Sequence, residues 1–369
     1  MRRSPPIANR GRVLIGLCLA ALVAVGRLTF AADVHGIAAD TIAAVSDEPA
    51  CTLASPIGPL AYTPGRGLRL GHMPITLGGY SNVNLVRNEG GPARLSLDDF
   101  SLFVIADPHP RLRLFSELEV EELLTLDSHG HGGTATANFV TERLFGDLTL
   151  SDQFVLRAGK FLTPVGRWNL IHVQPLVWTT SRPLVTFAPF DPHTTGAMLF
   201  GSLFPATGRV TYTLYGQFLN QLDPASWPVE ARRSAGGRLE YAVTGGPSVG
   251  ASYLTFESGG DWQHLGGLDT LWRRDRVEVM GEAVYSDAPR RWGLYLQPVV
   301  RLWSQLYVVG RYEHYGDQAR DTPPAADLVV AGVAFKPVPY LILKGEYLFA
   351  DHPVHDSPPG FKSSVAILF

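Results

Sequence analysis

The sequence predicts an all-β fold, a transmembrane antiparallel β-barrel of about 16 strands, and three observations support this prediction. From about residue 71 to the C-terminus, successive short runs alternate polar and apolar side chains, as β-strands do. Clusters of turn-forming residues separate these runs. The 38 Gly and 28 Pro residues disfavour long helices, because both weaken helix interiors. No stretch after residue 25 approaches the roughly 20 apolar residues of a membrane helix.

The chain divides into three predicted segments. Residues 1–31 form a secretory signal peptide, because a basic start precedes a short apolar run from Val13 to Val25. An uncleaved anchor helix is the alternative for this segment. Residues 32–70 hold several prolines without a sustained period and are predicted to form a flexible periplasmic leader. Residues 71–369 form the outer-membrane β-barrel.

Charge and cysteine content exclude several functions. The predicted signal holds five of the 31 Lys and Arg and no acid, which leaves 26 bases against 34 acids, a net charge of −8. A chain with this balance is a poor partner for nucleic acid. Cys51 is the single cysteine after cleavage, so neither a disulfide framework nor a thiolate metal site is expected.

The connections between the predicted strands alternate in length. They are tight after even-numbered strands and mostly longer after odd-numbered strands, as expected for short periplasmic turns and long outer loops. An even number of strands also brings both ends of the barrel to the periplasmic side. The predicted strands are 75–86, 95–106, 111–122, 136–147, 153–161, 194–203, 209–219, 236–243, 248–257, 264–273, 276–286, 292–303, 305–316, 327–336, 339–350 and 361–369.

Charged side chains share one face of the alternating strands, and leucine, valine and tyrosine share the other. Since lipid contacts the apolar face, the charged face lines the barrel interior. Facing acids and bases set up a transverse field that screens solutes by polarity; ion-pair ladders that only stabilise the wall are the alternative. The predicted pore-wall residues are Arg113, Glu117, Glu119, Glu240, Glu282, Arg301, Arg311, Glu313, Lys344 and Glu346.

The third outer loop, about residues 162–193, is long, apolar and rich in proline. Exposing its tryptophan, phenylalanine and aliphatic side chains to water would be unfavourable. We therefore predict that it folds into the barrel and narrows the passage. A cap over the barrel or a subunit contact is the alternative. The predicted constriction residues are Arg167, Trp168, His172, Arg182 and His193.

The last predicted strand ends in Phe369, with Phe361, Val365 and Ile367 on the same parity. This terminal aromatic residue is similar to the C-terminal signal of outer-membrane barrels. We expect Phe369 to serve barrel closure, since an open edge is not tolerated in lipid, and we expect the barrel assembly machinery to be a partner.

A short segment carries a resemblance to a known family. Gly159-Lys-Phe-Leu-Thr-Pro-Val-Gly166, directly after a predicted strand, resembles a segment of the phosphate-selective porin O and P superfamily. The resemblance extends loosely from about residue 71 to Phe369. It implies a sixteen-stranded, usually homotrimeric channel with an inward third loop. The phosphate specialists of the family depend on clustered Arg and Lys, whereas this loop holds Arg167, Arg182 and no Lys.

The sequence therefore predicts a porin of the bacterial outer membrane, a passive diffusion channel for small hydrophilic solutes or ions with weak anion selectivity. Outer-membrane lipid and lipopolysaccharide are further expected partners. A non-conducting structural or surface-interaction barrel is the open alternative. A membrane hydrolase is disfavoured because the sequence has no nucleophile elbow. The outward His314 also has no outward Ser or Asn at matching height on the neighbouring predicted strands.

Two pairs of loop histidines raise the question of metal binding. They are His129 with His131 and His352 with His355. Histidine binds zinc and copper, but two ligands on a flexible loop make a weak site. We favour solvated histidines and predict no metal, no cofactor and no catalytic residue.

Overall fold

The computed structural model describes residues 51–130, 132–133, 137–221, 227–287, 289–318, 325–352, 354 and 356–369. The predicted signal peptide and the first part of the leader lie outside these residues, as do His131 and His355. Within the described part, no helix is long and apolar enough to cross a membrane.

Sixteen antiparallel strands form a closed barrel, which confirms the predicted fold class. Each strand pairs with the next along the chain, and the last pairs with the first from Gly360↔Asn88 to Leu368↔Tyr80. We number them β1 Ile75–Asn88, β2 Ala93–His109, β3 Leu112–Asp127, β4 Asn138–Ser151, β5 Phe154–Leu162, β6 His193–Leu203, β7 Gly208–Gln217, β8 Arg233–Val243, β9 Ser248–Ser258, β10 Asp261–Arg274, β11 Val277–Asp287, β12 Arg290–Arg301, β13 Leu306–Asp317, β14 Ala325–Val338, β15 Leu341–Ala350 and β16 Gly360–Leu368.

All sixteen predicted strands have a counterpart in the barrel. The largest differences are at the ends of β3 and β4, which continue five and four residues past their predicted ends, from 122 to Asp127 and from 147 to Ser151. β3 stays paired with β2 out to Arg94↔Asp127, and the turn-forming residues Gly90, Gly91 and Ser128 lie just beyond this pair.

Burial alternates along the strands as the two-residue period requires. In β10, Gln263, Leu265 and Asp269 are buried, whereas Trp262 and Leu268 are exposed on the outer surface. The outer surface is therefore apolar and the inner surface mixes polar and apolar residues. This is the arrangement expected of a barrel that faces lipid.

The two ends of the barrel differ in their connections. Long connections, among them 128–137, 163–192 and 218–232, join the strands at one end, which we call the mouth. Connections such as 110–111 and 152–153 join them at the other end, which we call the turn end. After β9 and β11 the mouth connections are also only two residues long.

Part of the predicted leader has defined secondary structure. Cys51–Leu53, Leu60–Thr63 and Gly67–Leu70 form short antiparallel strands. The third of them pairs with β1 through Leu68↔Leu77 and Arg69↔Thr76. Residues 51–70 therefore extend the sheet at the turn end.

Candidate functional site at the third loop

The third loop, residues 163–192, joins β5 to β6 and has little regular structure. It contains only three short 3-10 turns, Trp168–Ile171, Gln174–Leu176 and Leu184–Thr186. Prolines interrupt longer helix formation, since Pro175 lies in the second turn and Pro183 directly precedes the third. Most of its apolar side chains are buried: Val165, Trp168, Leu170, Val173, Val177, Leu184, Val185, Phe187 and Phe190.

The two ends of the loop are joined to each other. The backbone N–H of Thr163 donates to the carbonyl of Pro192 at 2.8 Å, and the Thr163 hydroxyl donates to the carbonyl of Asp191 at 2.8 Å. The Asn169 amide donates to the carbonyls of Thr163 and Pro192. This neck continues the β5–β6 ladder and directs the chain between 164 and 190 onto other strands.

Three predicted pore-wall glutamates accept hydrogen bonds from backbone N–H groups of the loop. Glu282 accepts from Trp168 at 2.6 Å, and Glu313 accepts from Leu184 at 2.9 Å. Glu346 accepts from both Thr180 at 3.0 Å and Ser181 at 2.7 Å. These buried carboxylates satisfy donors that irregular backbone would otherwise leave unpaired.

Two predicted pore-wall cations bind the same part of the loop. Arg311 donates to the Thr179 hydroxyl at 2.7 Å and to the carbonyl and hydroxyl of Ser181. The Nε atom of Arg311 lies 2.6 Å from Oε1 of Glu313. Lys344 donates to Gln174 and to the carbonyl of Thr179. The tip of the loop therefore rests on β13 and β15.

Arg167 is held by acids on two other strands. Its guanidinium lies 2.9 Å from Glu240 and 3.4 Å from Asp269, and it donates to the Ser248 hydroxyl at 2.9 Å. Arg238 binds the same two carboxylates at 2.7 Å each. Arg167 of the loop thus joins Arg238 and Glu240 of β8 and Asp269 of β10 in one network, in which two acids compensate two arginines.

Arg182 has different surroundings. It donates to the Asn169 side chain at 2.7 Å and to the carbonyl and hydroxyl of Thr186. Its guanidinium carbon lies 4.8, 5.2 and 5.3 Å from the ring centres of Trp168, Phe187 and Trp227. Trp227 belongs to the next mouth connection, so two loops meet at this guanidinium.

The predicted constriction histidines meet at one glutamate on β4. The Nε2 atoms of His193 and His172 lie 3.0 and 3.6 Å from Oε1 of Glu142. Burial lowers the pKa of His172 to about 3, so its imidazole is neutral at neutral pH. In the described part of the chain, no group of three or more His, Cys, Asp or Glu residues is placed to hold a metal ion.

The remaining predicted wall residues lie away from the loop tip. Glu117 pairs with Arg143 inside the wall, and Glu119 accepts from the Tyr80 hydroxyl at 3.1 Å. Arg113 binds Asp107 at 2.8 Å, in a pair that is about 40% exposed near the turn end. Arg301 is partly exposed at the end of β12, also near the turn end.

Strand alternation alone misses two residues of the site. The pairing of β3 with β4 shifts between Glu117 and Leu118, so Arg143 pairs with Glu117 while Thr141 pairs with Leu118. Because of this shift, the side chains of Glu142 and Arg143 are both buried although the two residues are neighbours in sequence. A bulge of this kind breaks the two-residue period. Arg238 and Asp269, by contrast, have the inward parity that a closer reading of the sequence detects.

Comparison with known proteins supports the fold. No known family profile matches the chain. An uncharacterized protein of Aquifex aeolicus is 24% identical over 364 residues, covering 80% of each chain. The anion-selective porin of Comamonas acidovorans has a TM-score of 0.59 at 15% identity, over 80% of this chain and 99% of that one.

Two further solved structures agree. OmpF of Salmonella typhi, in a complex with daunomycin, has a TM-score of 0.57 at 11% identity, over 80% of this chain and 97% of that one. The trimer form of in-vitro folded OmpT from Vibrio cholerae has a TM-score of 0.51 at 9% identity, over 80% and 99%. The chain has a porin fold.

Phe369 continues the pairing of β16 with β1 in this porin barrel. The backbone N–H of Phe369 donates to the carbonyl of Gly79 at 2.9 Å, and the Phe369 carbonyl accepts from the Gly79 N–H at 3.0 Å. The Phe369 ring stacks on Phe100 with ring centres 6.0 Å apart. Phe369 thus extends the β16–β1 ladder by one pair and covers its end on the outer surface.

The outward His314 of the porin barrel is bound to an acid. Its Nδ1 atom lies 2.9 Å from Oδ1 of Asp327, which also accepts from the Tyr312 hydroxyl at 2.7 Å. The Tyr312 hydroxyl is directed to Asp327 rather than to the imidazole. Asp327 therefore orients both His314 and Tyr312 on the outer surface.

Proposed function

We propose that this porin barrel is a passive diffusion channel of the bacterial outer membrane for small hydrophilic solutes or ions, and that the third loop sets the width of its passage. The observation that carries the proposal is the anchoring of the loop to β11, β13 and β15 by Glu282, Glu313 and Glu346. A loop that reaches across to those strands occupies the cross-section of the barrel.

The burial pattern of the loop supports a passage along one of its sides. Between residues 172 and 182, alternate side chains stay partly exposed while those between them are buried. The partly exposed residues are His172, Gln174, Leu176, Trp178, Thr180 and Arg182. We propose that this row, together with Arg167 and His193 near the neck, forms the constriction.

Weak anion selectivity is the selectivity that we propose. Most charged groups of the interior are paired, as in Arg167 with Glu240 and Arg311 with Glu313, and paired charges produce little net field. The Comamonas neighbour is an anion-selective porin, which agrees in direction with this proposal.

We also propose a family and an assembly for this chain. We propose that the chain is a distant member of the phosphate-selective porin O and P superfamily. A signal peptide directs its export, the barrel assembly machinery inserts it into the outer membrane, and lipid and lipopolysaccharide surround it there. The segment Gly159–Gly166 carries the family proposal. The existence of a trimer form of a neighbour supports a homotrimer.

One observation favours a second function. Wall residues that face the loop, such as Met280, Leu328 and Leu348, are apolar and almost fully buried. An interior packed in this way is also what a non-conducting structural barrel requires. The two functions differ in one measurable property, which is conductance.

Single-channel recording in planar bilayers tests the proposal. Purified protein should produce stable conductance steps, and protein that has been boiled should produce none. Deleting residues 166–190 should raise the single-channel conductance, because the cross-section occupied by the loop becomes open. Silence of both the full-length protein and the deletion variant would establish the structural barrel. Equal conductance of the two would remove the loop from the passage.

A further inference from the structure

Arg182 lacks the acidic partner that the other interior arginines have. Arg143, Arg157, Arg167, Arg238, Arg291 and Arg311 each lie within 4.0 Å of a carboxylate. In the part of the chain that the structure describes, no carboxylate lies this close to Arg182. Burial lowers the pKa of its guanidinium, but guanidinium is so basic that it stays cationic at neutral pH. Glu142 and Glu282 attract this cation from a greater distance, so an added anion can still make the direct contact that these carboxylates do not make.

The hydrogen bonds of Arg182 leave one nitrogen of the guanidinium available. Its Nε atom donates to the Thr186 hydroxyl at 3.1 Å, and Nη2 donates to Asn169 and to the Thr186 carbonyl. Nη1 donates to no described residue, and Arg182 as a whole is partly exposed. These bonds fix the plane of the guanidinium, so the orientation of Nη1 is set before any ligand arrives.

The rings around Arg182 add further donors without acceptors. Trp168 is 2% exposed, and its indole N–H has no hydrogen-bond partner. The indole N–H of Trp227 is also buried without a hydrogen-bond partner. Both ring nitrogens of His172 lack a hydrogen bond as well, although Nε2 lies 3.6 Å from Oε1 of Glu142. A buried donor without a partner is satisfied when a polar group of a ligand accepts from it. Here the unpaired groups include two donors whose rings contact the same cation.

We propose that Arg182, Trp168, Trp227 and Phe187 form a binding site for organic carboxylates that carry an aromatic ring. The carboxylate would accept from Nη1 of Arg182 and from an indole N–H, because charge-assisted bonds to guanidinium are strong. The aromatic body would pack on the rings of Phe187 and Trp227, which an inorganic anion cannot use. This inference rests on the proposed channel function and names a solute class for it.

The site lies near the mouth. Trp227 is within 6.0 Å of the ring of His193, the first residue of β6, and β6 begins at the end of the barrel where the long connections lie. A solute that enters through the mouth therefore passes close to the proposed site.

Isothermal titration calorimetry of the folded protein in detergent tests the site with benzoate as the probe. Wild type should bind benzoate saturably, and Arg182→Gln should weaken binding by about tenfold or more, since a bond to a charged group is lost. Arg182→Lys should keep only part of the affinity, because it retains the positive charge but loses the oriented Nη1 donor. Arg233→Gln is the matched control, because Arg233 also lies over a tryptophan, Trp262, but is exposed on the outer rim.

A second variant separates binding from folding. Trp227→Phe keeps an aromatic ring and removes the indole N–H, so it should lower benzoate affinity by a smaller factor than Arg182→Gln. The faster mobility of unboiled protein on a detergent gel checks that each variant is folded. Unchanged affinity in folded Arg182→Gln, or no saturable binding by wild type, would overturn the site. Phosphate bound as tightly as benzoate would overturn the aromatic carboxylate as its ligand.

Conductance of the same preparations distinguishes the two proposals. Conducting protein that does not bind benzoate would overturn the site and leave the channel intact. Protein that is silent in bilayers and still binds benzoate through Arg182 would overturn the channel and keep the site. With both correct, benzoate should reduce the wild-type chloride current and leave that of Arg182→Gln nearly unchanged.

Discussion

The backbone N–H of Trp168 donates a 2.6 Å hydrogen bond to Oε1 of Glu282, which is 114 positions later in the chain. The Tyr295 hydroxyl donates to the same oxygen at 2.9 Å. Glu282 thereby joins the third loop to β11 and β12. Its carboxylate fixes the start of the loop against the wall, before the chain continues to the tip.

Gly166 lies close enough to Glu282 to allow a sharp test of this anchor. It has a φ of +65°, and a Cβ added to it would be 1.9 Å from Oε2 of Glu282. We expect Gly166→Ala to displace the loop and to lower the free energy of unfolding by about 1–3 kcal/mol. The denaturant midpoint of the detergent-solubilised barrel measures this loss.

Gly90→Ala is the matched control for Gly166→Ala. Gly90 has a similar φ of +74°, but an added Cβ meets nothing within 4 Å. Both variants carry the backbone strain of a side chain in the left-handed region, and only Gly166→Ala adds the collision with Glu282. Equal losses in the two variants would show that the contact with Glu282 contributes nothing.

Arg311 should be the most important single side chain for holding the loop tip. It is 1% exposed and binds Thr179, Ser181 and Glu313. Arg311→Met removes these bonds and leaves Glu313 buried without its cation, which costs about 3–5 kcal/mol when one partner of a buried pair is lost. Chemical denaturation should show this loss as a lower midpoint.

Arg301→Met provides the comparison for Arg311→Met. Arg301 is partly exposed near the turn end, so its replacement should change the free energy of unfolding by about 0.5 kcal/mol or less. The difference between the two variants measures the loop anchor rather than the loss of any arginine. If Arg311→Met is as stable as Arg301→Met, the loop tip is not held by this residue.

The strands could be predicted from the sequence because their signal is local. Alternation places Glu117 and Glu282 on the inner surface without knowledge of their partners, and turn residues such as Gly245 and Gly246 mark where the strands end. The apolar content of the third loop also indicates, by itself, that these residues avoid water. Each of these inferences uses a window of a few residues.

The contacts of the site could not be predicted, because they join distant parts of the chain. Nothing near Ser181 indicates that Glu346, 165 positions later, accepts its N–H. The sequence places Arg182 in the third loop. It does not indicate that one of its aromatic neighbours, Trp227, belongs to another connection. The bulge that turns both Glu142 and Arg143 inward breaks the period on which the prediction relied. Arg167 could be placed in the loop, but its compensation by Asp269 depends on how the loop folds.

Phe369 should be required for barrel closure. Its backbone makes two hydrogen bonds with Gly79, and its ring stacks on Phe100. Deleting Phe369, or replacing it with Lys, should sharply reduce the folded, heat-modifiable barrel in the outer-membrane fraction, since the end of the β16–β1 ladder would be open in lipid. Phe361→Ala is the control, because Phe361 is also an exposed aromatic residue of β16. Normal yield from the truncated chain would contradict this role.

Acidification should weaken docking of the third loop through His172. Burial lowers the pKa of His172 to about 3 from the usual 6.5. The negative charge of Glu142 opposes this shift by raising the pKa, whereas the positive charges of Arg143, Arg182 and His193 lower it further. Above pH 6.5 the imidazole is neutral whether the loop is docked or released. Below pH 6.5 the released imidazole takes up a proton that the docked one does not, so docking loses free energy as the pH falls from 6.5 toward 3.

The size of this effect can be measured with a variant that does not titrate. Between pH 7 and pH 5, wild type should lose about 2 kcal/mol more free energy of unfolding than His172→Gln. Subtracting the variant removes the contribution of the carboxylates, which are common to both proteins. His129→Gln is the control, because His129 is an exposed histidine of another mouth connection and its replacement should leave the wild-type pH dependence unchanged. An identical loss in wild type and His172→Gln would mean that His172 titrates normally and does not limit docking of the loop.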